Sequence, residues 1–278
     1  MKKLLSINNI FKNGSSLPVE AEGTENEKYF VKLKGTGEGT IALISDFISS
    51  KLGSELGLPV LDPFFVYMDK DIKVNLKNDE LYDLINSSYG INLGFPLIEY
   101  SSQYSEKYSV NLISQDTKDI IFLFDCFLLN IDRTHLNHDI LVSGRSFYVL
   151  DYSASFIFRS ILNNIKYGAS PEIAGQLKRN IFYREGIKPE VLTNCFDLIS
   201  DSQIQNTIDE IPDEWLLSFK EDAKIILKKE ILNKLRDKNY LKDLLKLISD
   251  TEVESEESRI KRQLQNRENF ENRFLKKK

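Results

Sequence analysis

Residues 130–156, NIDRTHLNHDILVSGRSFYVLDYSASF, set Asp132 and Asp151 on either side of a polar loop and an aliphatic strand. Residues 147–150 form an apolar run after the turn Ser143-Gly144-Arg145, the pattern of a strand entered through a glycine turn, so Asp151 emerges at a strand end. Asp132 opens the loop that follows an apolar segment, residues 120–129, read as part of a buried helix over 118–129 even though Asp125 interrupts it. Either aspartate alone is adequately explained as a cap or turn residue. Their pairing, with Asn137 and Asp139 between them, calls for a site.

Outward from this segment the chain changes character. Before it, the runs 29–33, 64–68 and 95–100 are rich in aromatic and branched residues and bounded by turn formers, as strands are. Among them, residues 40–56 repeat apolar side chains at Ile44, Ile48, Leu52 and Leu56 and stop at Gly57 before Pro59, which predicts an amphipathic helix. Residues 101–108 are polar and tyrosine-rich and read as a hinge. Beyond the segment, Leu227, Ile231, Leu235, Leu241, Leu244, Leu245 and Ile248 recur at helical spacing, so helices dominate 190–250. The expected organisation is α+β: a β-rich part with one main helix over 1–100, a helical part over 101–250, and a charged tail over 251–278, read as a solvated helix.

At 278 residues and 41% hydrophobic content, the chain can bury one large core or two modest ones. A net charge of −5 without a long basic stretch gives no reason to expect nucleic acid. The first residues carry the lysines of a leader, but their apolar run ends after two leucines and no cleavage site follows. The longest apolar run is about half of the ~20 residues a bilayer requires. Two cysteines are too few for a disulfide framework. The expectation is a cytoplasmic protein without a membrane span.

Phosphoryl transfer from ATP needs a carboxylate at the acceptor, oxygen ligands for magnesium, a lysine on the phosphates and a backbone loop over them. Asp132 suits the first role. Asp151 suits the second, joined by Asn137, which lies at the Asp-to-Asn interval of the protein-kinase catalytic loop, or by Asp139. Lys32, inside the strand-like Tyr29-Phe30-Val31-Lys32-Leu33, suits the third, and an exposed edge-strand lysine is the alternative. Asp46 lies off the aliphatic stripe of its helix and would be read as a surface residue unless it pairs with Lys32. Gly14, Ser15 and Ser16 offer a small-residue turn for the phosphates. Glu99, in the run leading to the hinge, joins the nucleotide-binding candidates. Methionine keeps most of lysine's apolar stem, so Lys32→Met is expected to spare folding. His135 and His138, spaced H-x-x-H, raise a metal hydrolase as an alternative with an incomplete ligand set.

These pieces together resemble the HipA-like kinases, within the wider protein-kinase and phosphatidylinositol-kinase fold. The resemblance rests on the Gly14-Ser15-Ser16 turn, YFVKLKG with Lys32, LISDFISSKLGSELGLP with Asp46, FDCFLLNIDRT with Asp132 and Arg133, VLDYSASF with Asp151, and IPDEWL at 211–216. It implies a bilobal fold, ATP and Mg2+, Lys32 on the phosphates, Asp132 at the acceptor hydroxyl and Asp151 on the metal. It also implies a serine or threonine of a protein as acceptor, and an antitoxin-like partner. Such kinases usually carry a glutamate where this chain has Asp46, so a longer lysine pair or a shifted helix is expected. Where the closest pattern has an asparagine directly before the Ile-Leu-Val strand, this chain has Asp139. The alternative is a catalytically weak nucleotide-binding or interaction module.

Overall fold

The structure, a computed structural model, describes residues 1–11, 17–75, 79–105, 112–165 and 169–253. In chain order its elements are β1 (Lys2–Ile10), β2 (Val19–Gly23), β3 (Lys28–Lys32), α1 (Thr40–Glu55), β4 (Phe64–Met68), β5 (Lys73–Val74), α2 (Asp79–Asn86), β6 (Gly90–Pro96) and β7 (Ser102–Gln103). There follow α3 (Gln115–Leu128), β8 (Ile140–Ser143), β9 (Ser146–Val149), α4 (Phe156–Leu162), α5 (Pro171–Leu177), α6 (Glu190–Phe196), α7 (Asp201–Asp209), α8 (Asp213–Leu216), α9 (Ala223–Arg236) and α10 (Tyr240–Asp250). Among the described residues, six strands form one sheet in the order β2-β3-β6-β4-β1-β5, and β7-β8-β9 form a second. The fold is thus mixed, with a β-rich N-terminal region followed by helices. No described helix is long and apolar enough to cross a membrane.

The N-terminal residues that resemble a truncated leader are strand β1, paired antiparallel to β2 and parallel to β4 and β5. The strand expected over 95–100 lies instead at Gly90–Pro96. Pro96 lacks the N–H needed to continue the ladder, and Tyr100 has a positive φ of 54°, so 97–100 turns away. Within β6, Gly94 lies under Phe64 and Val66, where a Cβ would come within 2.7 Å of both side chains. The glycine permits that close approach and disguises the strand.

Helix α1 ends as expected: Gly57 takes a positive φ of 71° and its N–H bonds the Ser54 carbonyl at 2.9 Å. It is not amphipathic in place, because residues 41–50 are all buried. Ile44, Phe47 and Ile48 belong to a large core shared with α3, α4 and the C-terminal helices, while Val19, Val31, Val66 and others build a smaller core within the sheet region. Helix α3 starts at Ser114, whose hydroxyl accepts the Thr117 N–H, and ends where Leu129 turns left-handed at φ 54°. The tail expected to be helical lies, from residue 254 onward, outside the described residues, as do hinge residues 106–108.

Candidate active site

The β8–β9 hairpin explains the flanking carboxylates. Ile140 pairs with Val149 and Ser143 with Ser146, so the residues before β8 and after β9 meet at its open end. There Asp139 and Asp151 both take left-handed conformations, φ 49° and 55°, which aspartate tolerates better than most side chains. The Leu150 N–H bonds the Asp139 carbonyl at 2.8 Å and locks the two ends together. Thr134 and Asn137 exchange backbone hydrogen bonds of 2.8 and 3.1 Å, closing a turn that returns Asn137 to Asp132. The Asn137 Nδ2 then donates to Asp132 at 3.1 Å and to Asp139 at 2.9 Å.

Lys32 meets this cluster from the sheet. Its strand β3 lies between β2 and β6, and the residue is 4% exposed, so it is not an edge lysine. Its ammonium donates to Asp46 at 2.7 Å and to Asp151 at 2.7 Å. Asp46 is 1% exposed, not a surface residue, and its second oxygen accepts the Tyr152 N–H at 2.7 Å. The shorter acid therefore pairs with Lys32 at full hydrogen-bond closeness, and the expected lengthening is not found.

Burial and neighbours divide the carboxyls. Asp46 is pushed up to about 6 by burial, against the pull of Lys32. Burial also acts upward on Asp151, but Lys32 and the Ser153 hydroxyl and N–H prevail and hold it at about 2. Asp139 rises to about 8 through burial and the nearby Asp151 charge. Asp132 is raised by the same two causes in the same order. The site thus keeps one carboxylate firmly ionised beside others that hold protons more readily.

A cavity of about 640 Å³ joins these groups. Phe11, Phe30, Phe95, Leu141 and Val149 give it apolar walls, and Lys32, Asp132, Asn137, Asp139 and Asp151 line it with polar groups. Size and mixed lining fit a small-molecule site, and the oxygen-rich donors fit a hard cation such as magnesium.

Beneath the loop lies a buried network that sequence reasoning did not assemble. Arg133, fully buried, donates from Nε to Asp125 at 2.8 Å, from Nη1 to the carbonyls of His138 and Asp139 at 3.0 and 2.9 Å, and from Nη2 to the Leu150 carbonyl at 3.3 Å. Asn130 and Asn180 donate to Asp125 at 2.9 and 2.8 Å. The available signal was Asp125 itself, since a carboxylate in an apolar helix must find buried partners.

The sequence profile of the family described as HipA-like kinase matches residues 4–243. The chain belongs to the HipA-like kinase family. Among solved structures, this HipA-like kinase resembles the proinflammatory kinase CtkA of Helicobacter pylori, with a TM-score of 0.54 and 13% identity over 88% of this chain and 96% of that one. That likeness supports a kinase-like fold. The MAP kinase LmaMPK10 of Leishmania major aligns at a TM-score of 0.25 and 11% identity over 87% of this chain and 76% of that one, too distant to argue from. No curated protein matches the sequence.

In this HipA-like kinase, Lys32, Asp46 and Asp151 meet directly, and Asp132, Asn137 and Asp139 form a second hydrogen-bonded group in the same cavity. Glu99 is not brought in: it is exposed in the turn after β6, and neighbouring Leu97 and Ile98 line the cavity instead. Gly14, Ser15 and Ser16 lie outside the described residues. His138 bonds the Tyr104 carbonyl through Nδ1 at 2.7 Å, and among the described residues no group of three His, Cys, Asp or Glu is gathered for a metal. A histidine hydrolase centre has no support there. A kinase's magnesium needs fewer protein ligands, because phosphates complete its shell.

Proposed function

We propose that this HipA-like kinase transfers the terminal phosphoryl group of ATP, with magnesium, to a hydroxyl of a protein serine or threonine. The observation that carries the reading is Lys32, held between Asp46 and Asp151 in the cavity that also contains Asp132 and Asn137. An ammonium has three N–H donors. Two serve the aspartates, and the third suits a phosphate oxygen. Asp151, ionised down to about 2, is the charged magnesium ligand. Asn137 is the favoured second ligand, since its Nδ2 serves two acids and leaves its carbonyl oxygen for a cation. Asp139, titrating at about 8, is the weaker choice near neutrality. Magnesium, when bound, neutralises charge developing on the phosphates. Asp132 orients the acceptor hydroxyl and takes its proton as the new oxygen–phosphorus bond forms and ADP departs. The close Lys32–Asp46 pair speaks against a catalytically weak module motivated by the short acid.

ATP labelled in the terminal phosphate tests this reading with candidate protein acceptors. Asp132→Asn should retain nucleotide binding while transfer falls by roughly 10²–10⁴-fold, the usual contribution of a general base. Unchanged transfer by that variant would remove Asp132 from the chemistry.

A further inference from the structure

The segment IPDEWL lies far along the chain from Lys32, yet its fourth and fifth residues reach the strands and helix around the lysine and its partner. Glu214 accepts from Lys34 Nζ at 3.0 Å and from the Ile91 N–H at 2.7 Å. Trp215 donates from Nε1 to the Ile91 carbonyl at 2.8 Å, and its own carbonyl accepts from Thr40 Oγ1 at 2.8 Å. Lys34 follows Lys32 by two residues, Ile91 precedes Leu93, the cross-strand partner of Lys32, by two, and Thr40 begins the helix bearing Asp46. The indole packs edge-on against Phe65 with centroids 5.4 Å apart, and Phe65 lies 4.9 Å from Phe47, the residue beside Asp46.

The other side of α8 belongs to the helical region. Lys224 on α9 donates to Asp213 at 2.7 Å and to the Asp209 carbonyl at 3.3 Å, and Lys228 donates to Asp209 at 2.7 Å. Trp215 is fully buried. One short helix therefore grips β6, α1 and the segment directly after β3 with its Glu-Trp pair while α9 holds its start.

We propose that Glu214 and Trp215 form a strap whose positioning role is to keep Lys32 and Asp46 in register with Asp151 for nucleotide binding. The proposal rests on the reading of Lys32 as the phosphate lysine. Neither strap residue lines the cavity, so their influence passes through β3, β6 and α1. If loosening the strap leaves the aligned arrangement about one-tenth populated, the apparent Kd for nucleotide rises about tenfold.

Calorimetric titration with a non-hydrolysable ATP analogue and magnesium, at a temperature where each variant remains folded, tests the strap. Trp215→Phe keeps an aromatic ring on Phe65 and loses the N–H. Glu214→Ala removes both bonds, whereas Glu214→Gln retains an oxygen for the Ile91 N–H. Trp215→Phe and Glu214→Ala should each raise Kd about tenfold, and Glu214→Gln should recover most of the affinity. Folded variants that are less heat-stable but bind with the wild-type Kd would reduce the strap to a structural contact and overturn the proposal. Should Trp215→Phe or Glu214→Ala not fold, Lys34→Gln, which spares both Ile91 bonds, should still raise Kd measurably, and an unchanged value overturns the proposal. Wild-type protein that binds no analogue overturns the nucleotide reading and the strap's role with it, a failure distinguished by appearing before any substitution.

Discussion

At the scale of single residues, Lys32 settles how its two acids differ. Asp151 contributes stability fully present above the ordinary value of 3.8 and lost as pH falls towards about 2. Asp46 acts oppositely: the fold holds its proton up to about 6, so this group's contribution declines as pH rises from 3.8 to about 6. Removing Lys32 removes the cation that limits this rise, and Asp46 must then either keep its proton at higher pH or stand as an unpaired buried charge. Lys32→Met should therefore cost more stability than its retained apolar stem alone suggests. It should cost about 3–5 kcal/mol at pH 8, the scale for breaking a buried pair, and less at pH 5, where Asp46 is protonated. Urea melts at the two pH values check this, and equal losses at both would show that Asp46 carries no such charge. The positions of Lys32, Asp132 and Asp151 were legible because each stands out from an apolar run or opens a polar loop. The burial of Asp46 was not, because it arises from helices packing over α1 from distant parts of the chain.

At the scale of elements, apolar runs and turn residues located α1, α3, β4 and β9 to within a few residues. They failed for β1, whose lysines imitate a leader, and for β6, whose Asn92 is polar yet buried, donating to the Ser88 carbonyl at 2.8 Å while its oxygen accepts the Lys34 N–H at 2.8 Å. A polar residue satisfied by tertiary hydrogen bonds breaks the pattern that marks a strand. The same limit hid Arg133, whose fork joins α3 to the carbonyls at both ends of the β8–β9 hairpin. Lysine has neither the planar fork nor the five donors to reproduce these bonds. Arg133→Lys should leave at least one carbonyl unsatisfied, costing about 1–3 kcal/mol, and loosen the hairpin's open end. Native-state hydrogen exchange at the Leu150 amide, bonded to the Asp139 carbonyl, should accelerate selectively. Protection equal to wild type would mean the hairpin holds that end without the guanidinium.

At the scale of the whole molecule, sequence composition suggests a division near residue 100, while the packing ties the regions across it. Lys32 and Asp151 bond across 119 residues and Lys34 and Glu214 across 180. No local pattern encodes such pairings, which follow only once α1 lies between sheet and helices. The large core makes the same connection, with Phe47 and Leu93 in one cluster with Phe124, Trp215 and Leu244. Chains of this size often unfold in stages, and two independent regions would do so here. The shared core and the α8 contacts instead predict a single cooperative transition. The chain supplies its own reporter, because its one tryptophan, Trp215, is buried where α8 meets Phe65 of the sheet. Its fluorescence reads the junction between the regions, while far-ultraviolet circular dichroism is weighted towards the helices. The two urea transitions should coincide in midpoint and slope. If the fluorescence transition came at lower urea than the loss of helix, the junction would open before the regions melt, and the division near residue 100 would be a true boundary between separately stable units.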